Sequence, residues 1–567
     1  MSVAALIAAL LVPLTASPSS AAVTFGAAAL PFRVDGEAEA DNVRLTWSPV
    51  AEADSYEIRR AEGGGAPTTV GLVPGTSYDD YDLGPDLTLR YTVRALAADG
   101  AALGESVPAE AVTFTPPTGL DVWDNTRPSS LAPHPSGIAH GGLYYRYQFA
   151  TVDGAIRVTE QTSTDGFAFG GDRIVLTGEN EPALRDVKLE GIAVVRNPAT
   201  ERIVIVAHLE EAGPTYTTAH LFLAGGTPGG AFGVTFNDRP FGNDSRDIGF
   251  FADADGSGYV LSATRGNQDL AVYRLTPDWS APAEHVTTLF AGQRREAPAL
   301  VKHDGHYYLF TSAAAGWYPS QPKYASAASI DGPWSEPRDI GNTATFGAQS
   351  GGVLAFGEHR AMMAHRWGAN WAFPEPQHST RLLPIAFNEG WASYEYFPRV
   401  DYDRETGLLV GVQNGRSLSV GKPAEASSLS EDAPGEDIVH APERANDGTD
   451  EIAGNYYKSG AVPFSWQVDL EEASRLDRIS LTWKMVNGSE THASYRIEGS
   501  QDGESWTTLV DASDNKLVGF TTHALEGRPE ARFVRVTVES VTNIHNGNGA
   551  GWARGLNEVT VFGQPLS

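Results

Sequence analysis

Apolar residues along this chain come in short runs, alternating with polar ones or standing unbroken, and each run closes on Gly, Pro, Asn or Asp. That is the period of β-strands and turns, and helical periodicity is nearly absent. Residues 43–47, 55–60 and 89–95 read as alternating strands near the N-terminus. Further along a hairpin unit recurs, an apolar strand, a turn, then a second, often aromatic strand, at residues 192–208, 248–261, 294–312 and 351–364. Recurrence at about 50 residues is a propeller-type signal, and about five blades fit the length of residues 119–420. The expected fold is all-β, a five-bladed β-propeller between two further β modules. The flanking modules fall at residues 30–117 and 438–565, and the stretch 421–437, rich in Ser, Pro, Gly, Ala and acids, reads as a linker.

Composition narrows the partners. A chain of 567 residues is too long for one core, and 41% hydrophobic residues with 10% aromatics suffice for several. A formal net charge of −30 repels phosphate backbones and anionic membranes, so neither nucleic acid nor a membrane is expected as a partner. Neutral polysaccharide is compatible with that charge, and a monomer is expected. There is no cysteine, which excludes disulfides, thiolate metal sites and cysteine nucleophiles. Residues 1–22 pair a short apolar run with a small-residue segment, the pattern of a secretory signal peptide, so the protein is expected to be extracellular.

The residues 294–312 hairpin places Glu296 just ahead of an apolar strand. One acid there is ordinarily a solvated charge. Its continuation through Gly316-Trp317-Tyr318-Pro319, Lys323-Tyr324-Ala325 and Asp331-Gly332-Pro333-Trp334-Ser335 resembles glycoside hydrolase family 43, a family of five-bladed propellers. Glycoside hydrolysis usually needs one carboxyl to protonate the leaving oxygen and a second group to activate water. The resemblance implies an inverting enzyme without a required cofactor. It makes Glu296 the general acid and Asp247, ahead of the apolar strand at 248, the neighbour that keeps the acid protonated. Arg246 is a candidate to orient that pair. Asp253 to Gly258 looks superficially like a calcium loop but reads as a hairpin turn.

The base departs from the family pattern. Where most members carry an Asp-Pro-Ser-like segment, this chain has Pro133-His134-Pro135-Ser136-Gly137 and no carboxylate. The same replacement resembles the exo-β-1,3-galactanase branch, in which a Glu precedes a second-blade strand and a Gln stands near the water. Glu190 and Gln349 occupy those places, and both remain candidates for activating water. His134 is a further candidate as base or sugar contact. Trp317 and Trp367 are candidates to stack on or border the sugar.

Two flanking resemblances complete the reading. Trp47-Ser48-Pro49 with Tyr56 and Tyr91 resembles a fibronectin type III sandwich, which implies that these aromatics are core. Residues 445–448, 466–470, 495–506, 532–536 and 557–559 resemble the discoidin or F5/8 type C sandwich, also used as a carbohydrate-binding module. Asp447, Asp450 and Glu558 there stand where related modules hold a structural calcium ion, and His545 and Trp552 lie in a loop that could meet a sugar. The favoured function is a secreted exo-glycosidase releasing galactose from the β-1,3-galactan of arabinogalactan. The alternatives are an arabinofuranosidase or related exo-enzyme, and a glycan-binding protein without catalysis.

Overall fold

The computed structural model describes residues 23–37, 41–115, 117–367, 379–430 and 440–566. The signal-like segment 1–22 and residues 431–437 of the expected linker lie outside the described residues. Strands dominate, and the helical pieces described are short 3-10 turns.

Five antiparallel four-stranded sheets follow one another in the chain. Their first strands are Ile138–His140, Val187–Arg196, Ile248–Ala252, Arg295–His303 and Gln349–Phe356. First strands of the second to fifth sheets run close to their neighbours, and glycines stand where the second meets the third and the third meets the fourth. A Cβ on Gly249 would lie 2.3 Å from the carbonyl oxygen of Pro298, so that approach admits no side chain. Gly191 sits 3.3 Å by the same measure from Ile248, with a positive φ that favours glycine.

At the N-terminal side two sheets enclose Trp47, Tyr56 and Tyr91, all buried, with Trp47 and Tyr56 ring centroids 5.4 Å apart. Burying each such ring is worth roughly 2–3 kcal/mol. One of these sheets differs from the sequence reading. Its order is Asp121–Asp124, Arg399–Asp403, Leu408–Gln413, Ala27–Val34, Asp41–Trp47, Ser77–Leu83. Residues 121–124 and 399–413, assigned by the repeat pattern to the propeller region, therefore complete the N-terminal module, through a parallel pairing of Phe32 with Gly411. Buried Asn125 locks this joint, donating to the carbonyls of Leu382 and Phe397 and accepting from the Leu382 amide.

The C-terminal module is a nine-stranded sheet system around Trp466, Tyr495 and a set of buried Val, Ile and Leu. Part of the supposed linker belongs to it: Ala424–Ala426 pairs with Phe464–Trp483. Nor is the module a loose appendage. Met485, Val518 and Phe520 share one apolar cluster with Ala344, Phe346 and Tyr396, and Phe346 meets Phe520 edge-on at 5.6 Å.

Candidate active site

Three of the singled-out side chains share one local device. Glu190, Glu296 and Gln349 each sit in the first strand of a sheet, at the last paired position before a break in register. A bulge re-aims the side chain beside it, and here it does so three times in three sheets. The residues that follow are small or stiff, Gly191, Ala297-Pro298 and Ser350-Gly351-Gly352, and Ala297 has a positive φ.

Glu296 is 5% exposed. Gln349 Nε2 donates to its Oε1 at 2.9 Å, and Asn267 Nδ2 donates to its Oε2 at 3.2 Å. Burial, then the negative charge of Asp247, push its pKa up to about 9. The Ala315 amide, Arg295 and Gln349 oppose that rise without cancelling it. The carboxyl therefore keeps its proton at neutral pH, as a general acid must.

Asp247 accepts the Ala297 amide at 3.2 Å, one residue beyond the acid. Its own pKa is raised by burial, with the charge of Glu190 adding to it and His208, the Ala297 amide and Arg246 opposing. Arg246 is placed differently from the expectation. Its guanidinium donates to Asp244 at 2.9 Å, so it acts on Asp247 only through its field. Asp244 also accepts the amides of Arg265 and Gly266, which holds the turn that delivers Asn267 to Glu296.

Glu190 accepts from the Tyr216 hydroxyl at 3.1 Å and pairs with Lys188 at 3.2 Å. Behind it, buried His208 stands with Nδ1 3.8 Å from Glu190 and Nε2 3.0 Å from buried Glu210. Gln349 is held on both sides of its amide. Its nitrogen also donates to Ser312 Oγ at 3.1 Å, and its oxygen accepts the Trp367 indole N–H at 2.7 Å. Residues 233–392, which carry Asp247, Glu296, Gln349 and Trp367, match the model of glycosyl hydrolases family 43.

The chain carries a family 43 glycosyl hydrolase domain. Residues 423–554 match the F5/8 type C domain. No curated protein is significantly similar in sequence. Among solved structures the chain is similar to an exo-β-1,3-galactanase from Clostridium thermocellum, at 23% identity over 74% of this chain and 99% of that one, TM-score 0.44. It is similar to a candidate exo-β-1,3-galactanase from Bifidobacterium bifidum s17 at 31% identity over 46% and 91%, TM-score 0.39. A Phanerochaete chrysosporium exo-β-1,3-galactanase variant with β-1,3-galactotriose gives 19% identity over 78% and 100%, TM-score 0.46.

The remaining expectations distribute unevenly around the glycosyl hydrolase domain. His134 is exposed in the segment before the first sheet, and no described contact ties it to Glu296. Trp317 is 44% exposed in the loop after Glu296's partner strand, whereas Trp367 is committed to Gln349. Asn267, Tyr216, Lys188 and the His208–Glu210 pair were not anticipated. Asn267 comes from a turn whose only sequence sign is Arg265-Gly266-Asn267, and His208 from an apolar strand where a polar residue is itself the signal. In the F5/8 type C domain Asp447 and Glu558 are buried, and burial raises the carboxyls of both, as it does that of Asp450, which reaches about 7. Among the described residues no group of three or more His, Cys, Asp or Glu side chains is arranged to hold a metal ion. The side chains of Asp447, Asp450 and Glu558 alone therefore do not make a calcium cage.

Proposed function

We propose that this glycoside hydrolase is an inverting exo-enzyme that releases galactose from the β-1,3-linked galactan backbone of arabinogalactan. The observation that carries the reading is the Gln349 amide seated on Glu296, in a chain with no carboxylate at the first-sheet position where the family ordinarily keeps its base. Glu296 gives its proton to the glycosidic oxygen as the bond to the anomeric carbon breaks. Asp247 keeps that proton in place beforehand. Gln349 orients water through the second lone pair of its oxygen, and Glu190 is the carboxylate beside Asp247 able to take up the proton water loses.

The same reading takes the five four-stranded sheets as the blades of a five-bladed propeller, the N-terminal sandwich as a fibronectin type III-like spacer and the F5/8 type C domain as glycan-binding. It places the protein outside the cell, as a monomer. A structural calcium ion near Asp447 and Glu558 would need backbone carbonyls to complete its oxygen shell, and a fall in melting temperature on chelation tests it.

Incubation with linear β-1,3-galactan, and separately with nitrophenyl arabinofuranoside, decides the substrate. Galactose released from the polymer with inverted configuration supports the reading. Arabinose alone moves the activity to side-chain cleavage, and no product from either refutes it.

A further inference from the structure

A general acid stands beside the leaving group, so the loop next to Glu296 borders the leaving-group side of the site. That loop, residues 314–319, touches the acid machinery twice. The Ala315 amide faces the Glu296 carboxyl, and the Gly316 carbonyl accepts Gln349 Nε2 at 3.4 Å. Its next residues, Trp317 and Tyr318, lead away from the acid toward the F5/8 type C domain.

There the Tyr318 ring meets His545 edge-on, centroids 5.3 Å apart at 80°. His545 is held from behind. Its Nε2 lies 2.6 Å from Glu490 Oε2, its amide donates to Asn543, and the Glu490 side chain has no exposed surface. Glu490 in turn accepts the Gly488 amide at its other oxygen, and its backbone carbonyl accepts the Ile544 amide. Ile544, the residue before His545, packs against the apolar cluster shared with the fourth and fifth sheets. The loop carrying His545 is thus anchored on the catalytic region at one residue and abuts its acid-side loop at the next. His545 keeps 41% of its side chain exposed, within reach of a ligand, and Trp317 is 44% exposed.

We propose that the F5/8 type C domain forms part of the leaving-group side of the active site. His545, fixed by Glu490 and packed on Tyr318, is a positioning residue for the 314–319 loop and extends the surface that receives a neutral oligosaccharide leaving group of two or more sugars. The domain then sets chain-length preference as well as any attachment to insoluble glycan. This rests on the galactan reading above for the identity of the sugar, and not for the contact itself.

The test compares the full-length protein with its His545→Ala and His545→Gln variants. The glutamine keeps a donor for Glu490 and removes the ring from Tyr318. Kinetics are measured on nitrophenyl β-galactoside and on β-1,3-galacto-oligosaccharides of two to four units. Loss of about five- to tenfold in kcat/KM on the trimer and tetramer is expected, carried mainly by KM, with the nitrophenyl substrate within twofold. A Tyr318→Ala/His545→Ala double variant should lose no more than the worse single variant, as for two halves of one contact. Equal losses on every substrate, or none, overturn the proposal. Hydrogen exchange of residues 314–319 is read in the same proteins. It should quicken about tenfold in both His545 variants, and unchanged exchange overturns the proposal whichever glycoside the wild type cleaves. Absence of galactose release by the wild type with quickened exchange defeats the galactan reading alone.

Discussion

Holding a buried carboxyl protonated at neutral pH costs folding free energy, and replacing it should return that energy. Glu296 moves from an ordinary 4.5 to about 9 in the folded protein. A carboxyl raised in this way leaves stability whole below about pH 4.5 and lowers it progressively as pH rises toward 9, because the unfolded chain releases a proton that the folded one retains. At about 1.4 kcal/mol per pH unit the penalty is about 1 kcal/mol at pH 5, about 3 at pH 7 and between about 4 and 5 at pH 8. Glu296→Gln removes it. The amide accepts a hydrogen bond at only one of the two atoms that receive Gln349 and Asn267, so about 1 kcal/mol is lost to the mismatched donor. The variant should therefore match the wild type near pH 5 and exceed it by about 2 kcal/mol at pH 7 and by between about 3 and 4 kcal/mol at pH 8. Melting temperatures of both proteins across pH 5–8, in one buffer system at fixed ionic strength, read the difference. A gap that stays constant with pH, or closes as pH rises, would refute the claim that Glu296 is held neutral in the fold.

Three further outcomes follow from the same geometry. Asp247→Asn removes the charge that helps keep the proton on Glu296, so the alkaline limb of kcat/KM should move about one to two pH units lower, and an unmoved limb would separate the two residues. Trp367→Phe takes away the donor to Gln349 Oε1 and should reduce kcat/KM about five- to tenfold with little change in melting temperature, while full activity would show that the indole N–H is idle. Gly249→Ala drives a methyl onto the Pro298 carbonyl beside the acid, so it should lower the melting temperature and activity together, and a silent substitution would mean that the third and fourth sheets separate easily.

The parts of the fold that are local were legible. The 294–312 hairpin announces itself by an apolar strand, a turn and an aromatic strand, and its acid by the Ala-Pro-Ala that follows, which is the register break seen from the sequence. Trp47, Tyr56 and Tyr91 read as core through the fibronectin type III resemblance, and all three are buried. What a sequence hides is pairing at long range. Nothing in residues 27–34 shows that their partner is 408–413, and nothing in Ala424-Glu425-Ala426 shows that a neighbouring strand has a free edge for them. The site divides along the same line. Glu296, Asp247 and Gln349 stand at strand starts and Glu190 just before Gly191 within its strand, where the chain's punctuation marks them. Asn267 arrives on a turn of the third sheet and meets Glu296 of the fourth only once the two sheets assemble, whereas Trp367 lies just past the strand that pairs with Gln349 and carries no sequence sign of the atom its indole N–H will meet. Arg246 illustrates the converse, a neighbour in sequence whose guanidinium finds Asp244 instead.

The parallel pairing of Ala27–Val34 with Leu408–Gln413 also orders events during synthesis. The first sandwich leaves the ribosome with one sheet open, its strand 27–34 presenting unpaired amides and carbonyls until residues 408–413 have been made. An open apolar edge recruits other strands, from this chain or another. The residues of the five sheets in between are made while that edge waits. A fragment cut after residue 117 carries the open edge permanently, whereas one that ends beyond residue 413 closes it.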